Sequence, residues 1–281
     1  MNRNNFDILV TGSTGFIGQY IIEKFNKNKI NVLSSYNKKK IKSSKYIKPI
    51  KINMKKLNFS DLKKYKVKTL IHLAWPKLND FEDKSHTKDI LKNQKKFLKT
   101  IIKLGCKNII VAGSSLEYGL KSGKNVENQI TKPVCSYGIA KDRLRKYLQK
   151  LKIKYDFKYT WLRIFFIYGI NPNRNTLTNL LVKNPNRKPI ILHKKIKRDY
   201  VDIKYVSDIF FKIYQKNCNF GVVNLSSGKN ISLKKLVSII KSKFQVKPNV
   251  LYKVFEQRKY EPERFYGCNK KLKYIIGNKN V

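Results

Sequence analysis

The sequence predicts an α/β protein with a doubly wound parallel sheet and a smaller α+β lobe at its C-terminal end. Strand-like and helix-like segments alternate through the first half of the 281-residue chain. Such alternation is typical of a parallel sheet that helices cover on both faces. An apolar run near the start also stops at three glycines and continues with helical spacing. Beyond Gly169 the segments are shorter and less regular, which indicates the second lobe.

The first half contains five predicted strands and three predicted helices. The strands are Asp7–Thr11, Asn31–Ser35, Lys68–Leu73, Asn108–Ala112 and Thr160–Phe166. The helices are Phe16–Asn26, Lys88–Leu104 and Ser136–Leu151. Apolar residues recur at helical spacing along the second helix, at Ile90, Leu91, Phe97, Leu98, Ile101 and Ile102. This stripe predicts that one side of the helix packs on the sheet.

The second half mixes short strands, helices and turns. The strands are predicted near Val222–Leu225 and Val250–Val254, and the helices near Val206–Gln215 and Ser232–Phe244. Asn-Pro-Asn at 171–173 and again at 184–186 predicts turns or helix caps. We therefore divide the chain into a sheet domain at 1–168, which some later segments rejoin, and a lobe made mainly of 169–281. In open sheets of this kind the ligand crevice lies at the carboxyl ends of the strands, which the lobe is expected to face.

Three glycines follow the first strand at three-residue intervals, Gly12, Gly15 and Gly18. A strand that turns into a helix through glycines leaves unpaired N–H groups at the start of the helix, where the helix dipole attracts phosphate. Glycines also let a pyrophosphate approach the backbone closely. The strand before and the helix after supply the context that this motif requires. The turn therefore predicts a Rossmann-type dinucleotide-binding domain.

The second predicted strand ends without the carboxylate that a domain selective for NAD normally places there to bind the adenosine ribose. No acidic residue occurs between Glu23 and Asp61. Ser35 and its neighbours Ser34 and Asn37 offer hydrogen bonds, and Lys38 and the two lysines after it offer positive charge. This surface would attract a 2′-phosphate, so NADP(H) is favoured and NAD(H) is possible.

The net charge of +46 raises the possibility of a nucleic-acid partner. The lysines, however, are spread along the whole chain rather than gathered in one tail. Lys, Asn, Ile and Tyr are enriched together, as mutational bias in an A/T-rich genome would produce. No zinc finger, basic zipper or RNA-binding aromatic motif accompanies the charge. We therefore expect no specific nucleic-acid partner, although the charge would steer anionic substrates.

The four cysteines are scattered, and none forms a CxxC pair. With three histidines in the chain, no metal-ligand pattern is present and no metal is expected. No apolar run approaches the ~20 residues needed to span a bilayer. The N-terminus leads directly into a strand, without the pattern of a signal peptide. These features predict a cytoplasmic protein with reduced thiols and no membrane partner.

A tyrosine and a lysine lie four positions apart on the third predicted helix, Tyr137 and Lys141. They therefore share one helix face. A phenol has a pKa near ~10, too high for easy proton transfer at neutral pH. We expect the Lys141 ammonium to lower it, so that Tyr137 can act as a general acid or base. Ser114 lies at the end of the strand predicted at Asn108–Ala112. Its hydroxyl could hydrogen-bond the substrate carbonyl to which Tyr137 gives its proton, and so stabilise a developing oxyanion.

Seven motifs occur in a characteristic order along the chain. They are TGSTGFIG, HLAW, GSSLEYG, YGIAK, LRIFFIYG, RDYVDIKYVSD and NLSSGKNISL. With them the sequence resembles the extended short-chain dehydrogenase/reductase family, in its NAD-dependent epimerase/dehydratase group. The matching segments cover nearly the whole chain. The resemblance implies a cytoplasmic enzyme that acts on a nucleotide-diphosphate sugar and pairs as a homodimer through helices at Lys88–Leu104 and Ser136–Leu151.

The resemblance also implies roles for particular residues. The catalytic residues would be Ser114, Tyr137 and Lys141. The cofactor would contact Gly12, Thr14, Gly15, Phe16, Ile17, Gly18, Ser35, Lys38, Asn53, Leu73 and Ala74, together with Tyr137 and Lys141. The substrate would contact Trp75, Ser115, Glu117, Phe166, Arg198 and Arg258, and the two arginines would bind its diphosphate.

Three functions remain open from the sequence. The first, which we favour, is NAD(P)H-dependent reduction of a nucleotide-linked 4-keto-6-deoxyhexose at C4, in the synthesis of surface-polysaccharide sugars such as those of O-antigen. The second is a nucleotide-sugar 4-epimerase with tightly bound NAD. The third is a non-catalytic nucleic-acid-binding protein on a reductase fold. Phe166 stands where many relatives have an Asn, and Asn53 where an acidic residue is frequent near the adenine, so these positions leave the sugar's identity and the cofactor's phosphate state open.

Overall fold

The computed structural model describes residues 4–56, 60–171, 176–183, 190–254, 260 and 262–277. Its strands are β1 (Asn4–Thr11), β2 (Val32–Tyr36), β3 (Ile47–Lys51), β4 (Tyr65–His72), β5 (Asn108–Ser114), β6 (Gly123–Asn125), β7 (Lys158–Ile164), β8 (Phe166–Tyr168), β9 (Ile190–His193), β10 (Lys197–Arg198), β11 (Tyr200–Asp202), β12 (Gly221–Leu225), β13 (Ile231–Ser232), β14 (Val250–Lys253) and β15 (Arg264–Gly267). Its α-helices are α1 (Phe16–Lys27), α2 (Ser60–Lys63), α3 (Asp89–Lys103), α4 (Ser136–Lys154), α5 (Leu177–Lys183), α6 (Ile203–Lys216), α7 (Leu233–Phe244) and α8 (Lys270–Ile276). Two 3₁₀ turns lie at Lys84–His86 and Ser115–Tyr118.

Seven strands form one sheet in the order β12-β7-β5-β4-β1-β2-β3. Every neighbouring pair in this sheet is parallel. The chain builds outward from β1 in one direction through β2 and β3, and in the other through β4, β5 and β7. The strand order therefore reverses between β1 and β4, which is where an open parallel sheet leaves a crevice at its carboxyl edge.

Helices cover both faces of this sheet, as the alternation predicts. One core packs side chains of α3 and α4 against inward-facing residues such as Leu9, Leu70 and Ile109. The other core packs α1, α6 and α8 against alternate residues of the same strands, such as Ile8 and Ile71. The full apolar stripe predicted for the α3 helix is buried. The Rossmann-type doubly wound α/β fold is thus confirmed.

Residues beyond Gly169 contribute to both the main sheet and smaller sheets. Strand β12 extends the main sheet next to β7, and helix α6 packs against α1. The order β13-β10-β15-β6 forms a four-stranded sheet, and β14 with β9 and β11 with β8 form two pairs. Helices α5 and α7 enclose a separate small core around Leu181, Leu236 and Ile240.

Strand β3 was not predicted, and its sequence explains why. Its residues read IKPIK, and a proline inside a run argues against a strand because it has no N–H to donate. In the structure β3 is the last strand of the sheet, and β2 is the strand of that sheet with which it pairs. An edge strand leaves one row of N–H groups unused, so Pro49 is tolerated there.

Candidate active site

A cavity of about 890 Å³ opens at the carboxyl edge of the sheet, where the strand order reverses. It extends from the glycine turn after β1 past the ends of β4 and β5 to the first turns of α4. It brings together most of the predicted site residues, although they come from distant parts of the chain. Its walls include Gly12, Thr14, Gly15, Phe16, Ile17, Gly18, Ser35, Lys38, Asn53, Leu73, Ala74, Trp75, Ser114, Ser115, Tyr137, Lys141 and Phe166.

Two of the three glycines are required by close backbone packing. Gly12 has φ +71°, and a β-carbon there would lie 2.8 Å from the backbone nitrogen of Ala74. A β-carbon on Gly18 would lie 2.2 Å from the carbonyl oxygen of Gly12. Both distances are well inside van der Waals contact, so only glycine lets α1 start this close to the end of β1.

Gly15 differs because the space beside it is part of the cavity. A β-carbon there would have one near neighbour, the Gly12 carbonyl oxygen at 3.1 Å. Gly15 is also the N-cap of α1 and, having no side chain, leaves the N–H groups of the first turn uncapped. Uncapped N–H groups and a missing β-carbon facing a cavity are what a pyrophosphate requires. The residues present at this turn therefore fit a dinucleotide.

The end of the cavity near β2 and β3 has no carboxylate. Ser35, Asn37 and Lys38 line it after β2, and Asn53 lines it after β3. The Oδ1 atom of Asn53 accepts a hydrogen bond of 2.9 Å from the backbone nitrogen of Lys55, which fixes the side chain. Among the described residues that line the cavity, none is Asp or Glu. The surface here is neutral to positive.

Ser114, Tyr137 and Lys141 meet at the opposite end of the cavity. Ser114 is the last residue of β5, and Tyr137 lies in the first turn of α4. The hydroxyl of Ser114 lies close enough to Tyr137 to lower the pKa of its phenol. Lys141 follows one helical turn later, with its ammonium 5.7 Å from the centre of the Tyr137 ring. The backbone that places them is rigid, because β5 is central to the sheet and α4 packs on it.

The pKa of Tyr137 differs from the sequence-based expectation. Burial raises it, the buried carboxylate of Glu117 raises it further, and only the hydrogen bond from Ser114 lowers it. Lys141 was expected to lower this pKa, but its ammonium instead donates to the carbonyl oxygen of Ala112 at 2.8 Å. The phenol is therefore held in its protonated form, which is the form that donates a proton.

Lys141 is itself strongly perturbed. Burial lowers its pKa from 10.5 to about 7, while the nearby Glu117 carboxylate raises it. Its ammonium lies 4.0 Å from the centre of the Trp75 ring, a cation–π contact. A lysine buried with one hydrogen bond and one aromatic face is poised to change its charge near neutral pH.

The loop after β4 covers Tyr137 with aromatic side chains, a feature the sequence-based analysis did not find. The Phe81 ring stacks on the Tyr137 ring with their centres 4.8 Å apart. Trp75 meets the same ring edge-on, at 5.7 Å. The indole N–H of Trp75 donates to Nδ1 of His86 at 3.0 Å, and His86 is fully buried. Nε2 of His86 bonds the carbonyl oxygen of Asp80 at 2.8 Å, which fixes the loop.

A second buried histidine, His72, joins the strand ends under the cavity and was also missed. Its Nδ1 lies 2.8 Å from the hydroxyl of Thr11, and its Nε2 lies 2.7 Å from Oε1 of Gln94. Gln94 in turn donates to the carbonyl oxygen of Ala74 at 2.9 Å. Burial and the charge of Lys141 lower the pKa of His72 to about 3, so the ring is neutral. The HLAW motif was the available signal, because its histidine ends a buried strand.

Glu117 is not at the cavity, which corrects its predicted role in substrate binding. Its side chain is fully buried, and its carboxylate accepts hydrogen bonds from the Ser114 backbone N–H and the Trp161 indole. Arg163 donates to the same carboxylate at 3.0 Å. A carboxylate with these partners has no path to a bound sugar. The 3₁₀ turn after β5 points it inward, behind Ser114.

The two arginines predicted to bind a diphosphate are not among the described residues of the cavity wall. Arg198 is buried, lies 5.4 Å from the Phe166 ring, and donates to the carbonyl oxygen of Glu263 at 2.7 Å. It therefore packs behind Phe166 rather than beside the cavity. Arg258 lies outside the described residues.

A family model described as the NAD dependent epimerase/dehydratase family matches residues 8–226. The matched segment holds the glycine turn, the sheet and the whole Ser114–Tyr137–Lys141 arrangement. The chain belongs to the NAD dependent epimerase/dehydratase family. This member of the family shows no group of three or more His, Cys, Asp or Glu side chains suited to a metal in its described part. None of its described helices is both long and apolar enough to span a membrane.

Individual relatives of this family member have low sequence identity to it. A dTDP-6-deoxy-L-talose 4-dehydrogenase (NAD(+)) of Aggregatibacter actinomycetemcomitans is 28% identical, over 93% of this chain and 99% of its own length. A dTDP-4-dehydro-6-deoxyglucose reductase of Escherichia coli is 29% identical, over 88% of this chain and 84% of its own. Among solved structures, a mutant UDP-glucuronic acid 4-epimerase from Bacillus cereus, in complex with UDP-4-deoxy-4-fluoro-glucuronic acid and NAD, has the same fold. Its TM-score is 0.81 at 17% identity, over 98% of this chain and 94% of that one.

Proposed function

We propose that this protein reduces a nucleotide-linked 4-keto-6-deoxyhexose at C4 with a nicotinamide cofactor, in the synthesis of surface-polysaccharide sugars. One observation carries the proposal. Ser114 and Tyr137 both lie at the wall of a cavity that begins at the glycine turn, with the Ser114 hydroxyl near enough to lower the pKa of the Tyr137 phenol. A carbonyl placed between that pair and the far end of a bound dinucleotide meets both a hydrogen-bond donor and a proton donor.

The chain's own side chains divide the work at the carbonyl. Ser114 would donate a hydrogen bond to the carbonyl oxygen and stabilise the charge that develops there. Tyr137, whose pKa is raised by burial, would then give its proton to the same oxygen. Lys141 would bind the cofactor's ribose and supply positive charge beside the phenol. A bound nicotinamide contributes the hydride that completes the reduction.

The sugar end of the cavity favours a deoxygenated substrate. Trp75 and Phe81, which contact the Tyr137 ring, give this part of its wall an apolar surface. A methyl group at C6 packs against such surfaces, whereas a hydroxymethyl or carboxylate there would lose hydrogen bonds to water. The names of the Aggregatibacter and Escherichia coli relatives, a 6-deoxy-talose 4-dehydrogenase and a 4-dehydro-6-deoxyglucose reductase, support the same class of substrate.

We propose NADP(H) as the preferred cofactor. The support is local: Ser35 and Lys38 line the cavity where a carboxylate would bind the ribose of NAD and repel a 2′-phosphate. The Aggregatibacter relative is named for NAD(+), and the Bacillus cereus structure holds NAD. The choice of cofactor therefore depends on the part of the cavity that would hold the adenosine ribose.

A 4-epimerase is the second candidate, because solved structures of this fold include enzymes named as such. An epimerase oxidises and reduces one carbon in turn, so it needs a cofactor that stays bound between the two steps. Purified protein that retains stoichiometric NAD and interconverts two 4-epimers without added cofactor would favour it. Purified protein that needs added NADPH favours the reductase.

A nucleic-acid-binding role is the third candidate and depends on the charge of +46 alone. The intact Ser114, Tyr137 and Lys141 set argues against it, because binding a polyanion requires none of the three. Charge-driven binding weakens steeply with salt. A gel shift that disappears at physiological salt supports the enzyme, and a sequence-selective shift that persists there supports the binder.

The homodimer through α3 and α4 is also a proposal. The outer face of α3 carries the exposed Lys92, Lys96, Lys99 and Lys103, so two such faces would repel one another at low ionic strength. We therefore expect sedimentation to show a monomer–dimer equilibrium that shifts toward dimer as salt rises. A monomer at every salt concentration would exclude this interface.

The test of the reductase is incubation with NADPH and a panel of nucleotide-linked 4-keto-6-deoxyhexoses, followed by absorbance at the NADPH band and by product mass. The proposal expects NADPH consumption with a product two mass units heavier than the substrate. Absence of turnover with every member of the panel, while the dinucleotide binds, would reject it.

A further inference from the structure

Behind Ser114 lies a buried polar group that the proposed reaction does not use. We call it the Glu117 cluster and define it as Glu117, Trp161, Arg163, Arg145 and Asp142. Oε1 of Glu117 accepts hydrogen bonds from the Trp161 indole at 2.8 Å and from the Ser114 backbone nitrogen at 2.9 Å. Oε2 accepts from Arg163 at 3.0 Å and forms an ion pair with Arg145 at 3.4 Å.

The Glu117 cluster is built into the fold. Trp161 and Arg163 lie two residues apart on β7, so both point to the same face of the sheet. Gly113 on β5 makes room for them, because a β-carbon there would lie 2.2 Å from the Trp161 indole nitrogen. Arg145 reaches in from α4 and also binds Asp142 on its own helix at 2.5 Å. Two buried carboxylates thus balance two buried guanidiniums.

One bond leads from this cluster directly to the reacting groups. The Glu117 side chain and Ser114 form a capping box: Glu117 accepts the Ser114 N–H, and the Ser114 hydroxyl accepts the backbone N–H of Leu116 at 3.2 Å. The same Ser114 hydroxyl lies close enough to Tyr137 to lower the pKa of its phenol. Moving the Glu117 carboxylate would therefore move the peptide of Ser114 and, with it, the hydroxyl that meets Tyr137.

Extending the function proposed above, we propose that Glu117 is a positioning residue, whose buried carboxylate fixes the Ser114 peptide so that the Ser114 hydroxyl meets the Tyr137 phenol at the substrate carbonyl. It contacts neither substrate nor cofactor. Burial of a carboxylate is costly unless it is fully paired. The two arginines and the indole supply most of that pairing. The remaining donor to the carboxylate is the Ser114 N–H, and this hydrogen bond links the cluster to the site.

The charge of Glu117 also acts on the site. It raises the pKa of both Tyr137 and Lys141. Other titratable groups around this pair in the described structure include Cys135 at the N-cap of α4, His72 at the end of β4, and His86 in the 3₁₀ turn that follows. Loss of the Glu117 charge would let Tyr137 and Lys141 both lose their protons at lower pH. Loss of the Tyr137 proton removes the proton-donating state.

The test compares three variants of the full chain, with NADPH and dTDP-4-dehydro-6-deoxyglucose as the probe. Glu117→Asp keeps the charge but is one methylene shorter, so its carboxylate cannot accept hydrogen bonds from Arg163 and the Ser114 N–H at the same time. Glu117→Gln keeps the length and removes the charge. The matched control is Asp142→Asn, which removes a second buried carboxylate paired with the same Arg145 but with no bond to Ser114.

All three variants disturb a buried ion pair, so all three should lower the midpoint of urea unfolding. Only the two Glu117 variants should lower kcat, by a factor on the order of 10 to 100, with KM changed by less than about threefold. In Glu117→Gln the alkaline limb of the kcat–pH profile should also move to lower pH by about half a unit or more. Parent kcat in both Glu117 variants, or an equal loss in Asp142→Asn, would overturn the proposal.

Crystal structures of Glu117→Asp and Asp142→Asn give a second measurement that needs no turnover. We expect the Ser114 hydroxyl to move away from the Tyr137 phenol in the first and to keep its position in the second. If the parent protein reduces no member of the panel of 4-keto sugars, the proposed function fails on its own, and these two structures still decide the positioning role. An unchanged distance between the Ser114 hydroxyl and the Tyr137 phenol in Glu117→Asp would refute that role.

Discussion

The ammonium of Lys141 donates a 2.8 Å hydrogen bond to the carbonyl oxygen of Ala112, the strand residue two before Ser114. Helix α4 and strand β5 are thus joined by a buried charge beside Ser114 and Tyr137, the proposed catalytic pair. The same ammonium rests on the face of Trp75. These contacts hold Lys141 where the side chain can bind a ribose, but they leave it largely stripped of water, and its pKa falls to about 7.

The pKa of Lys141 predicts a stability effect that depends on pH. Between about 7 and 10.5 the folded chain binds fewer protons at this group than the unfolded chain does, so folding stability rises with pH across that window. Lys141→Met removes the buried charge. The variant should therefore be more stable than the parent below pH 7, and its advantage should shrink toward pH 10. Urea unfolding midpoints at pH 6 and pH 9.5 measure the difference, and an advantage independent of pH would contradict the assigned pKa.

Removal of the Tyr137 hydroxyl should stop the chemistry and spare cofactor binding. Tyr137→Phe keeps the ring that stacks on Phe81 but removes the proton donor. We expect kcat to fall by about 100-fold or more, with an NADPH dissociation constant within about threefold of the parent's. Stopped-flow turnover and fluorescence titration give the two numbers. Normal turnover in this variant would remove Tyr137 from the mechanism.

The glycine turn allows packing and ligand approach to be separated. Gly18→Ala should destabilise the fold by about 2 kcal/mol, because its β-carbon would collide with the Gly12 carbonyl. Gly15→Ala should cost less than about 1 kcal/mol, since its β-carbon would point into the cavity. Dinucleotide affinity should nevertheless fall about tenfold or more in Gly15→Ala. Equal affinities of the parent and Gly15→Ala would show that no pyrophosphate lies at this turn.

The choice between cofactors should depend on Lys38. NADPH is expected to bind more tightly than NADH, and Lys38→Glu should reduce NADPH affinity by about tenfold while leaving NADH affinity nearly unchanged. Lys39→Glu is the matched control, since Lys39 is a neighbouring exposed lysine that does not line the cavity. Isothermal titration of both cofactors with both variants decides the matter. Equal binding of NADPH and NADH by the parent would favour the epimerase.

Features set by local sequence were predictable. The strand–glycine–helix transition at Gly12–Gly18 and the helical spacing of α3 each depend on neighbours in the chain, and the structure confirms the elements they predict. Strand β3 was not predicted because its proline is acceptable only at a sheet edge, and which strand lies at the edge depends on the whole sheet.

The side-chain environment of the site was harder to predict, because it depends on long-range burial. The sequence spacing suggests that Lys141 lowers the pKa of Tyr137. The pKa is instead raised by burial and by Glu117, and spacing reveals neither. Glu117 itself was expected to contact the substrate because the family resemblance implied that role. The two arginines that turn it inward come from β7 and α4, 46 and 28 residues away along the chain.

The central claim is that Ser114 stabilises, and Tyr137 protonates, the C4 carbonyl oxygen of a nucleotide-linked sugar during its reduction. The most direct measurement is single-turnover reduction of dTDP-4-dehydro-6-deoxyglucose with NADPH by the parent, Ser114→Ala and Tyr137→Phe, with product identified by mass. The account predicts reduction by the parent and a loss of about 100-fold or more in each variant. Parent protein that binds NADPH yet leaves every 4-keto sugar unreduced, or variants that reduce it at the parent rate, would contradict the account.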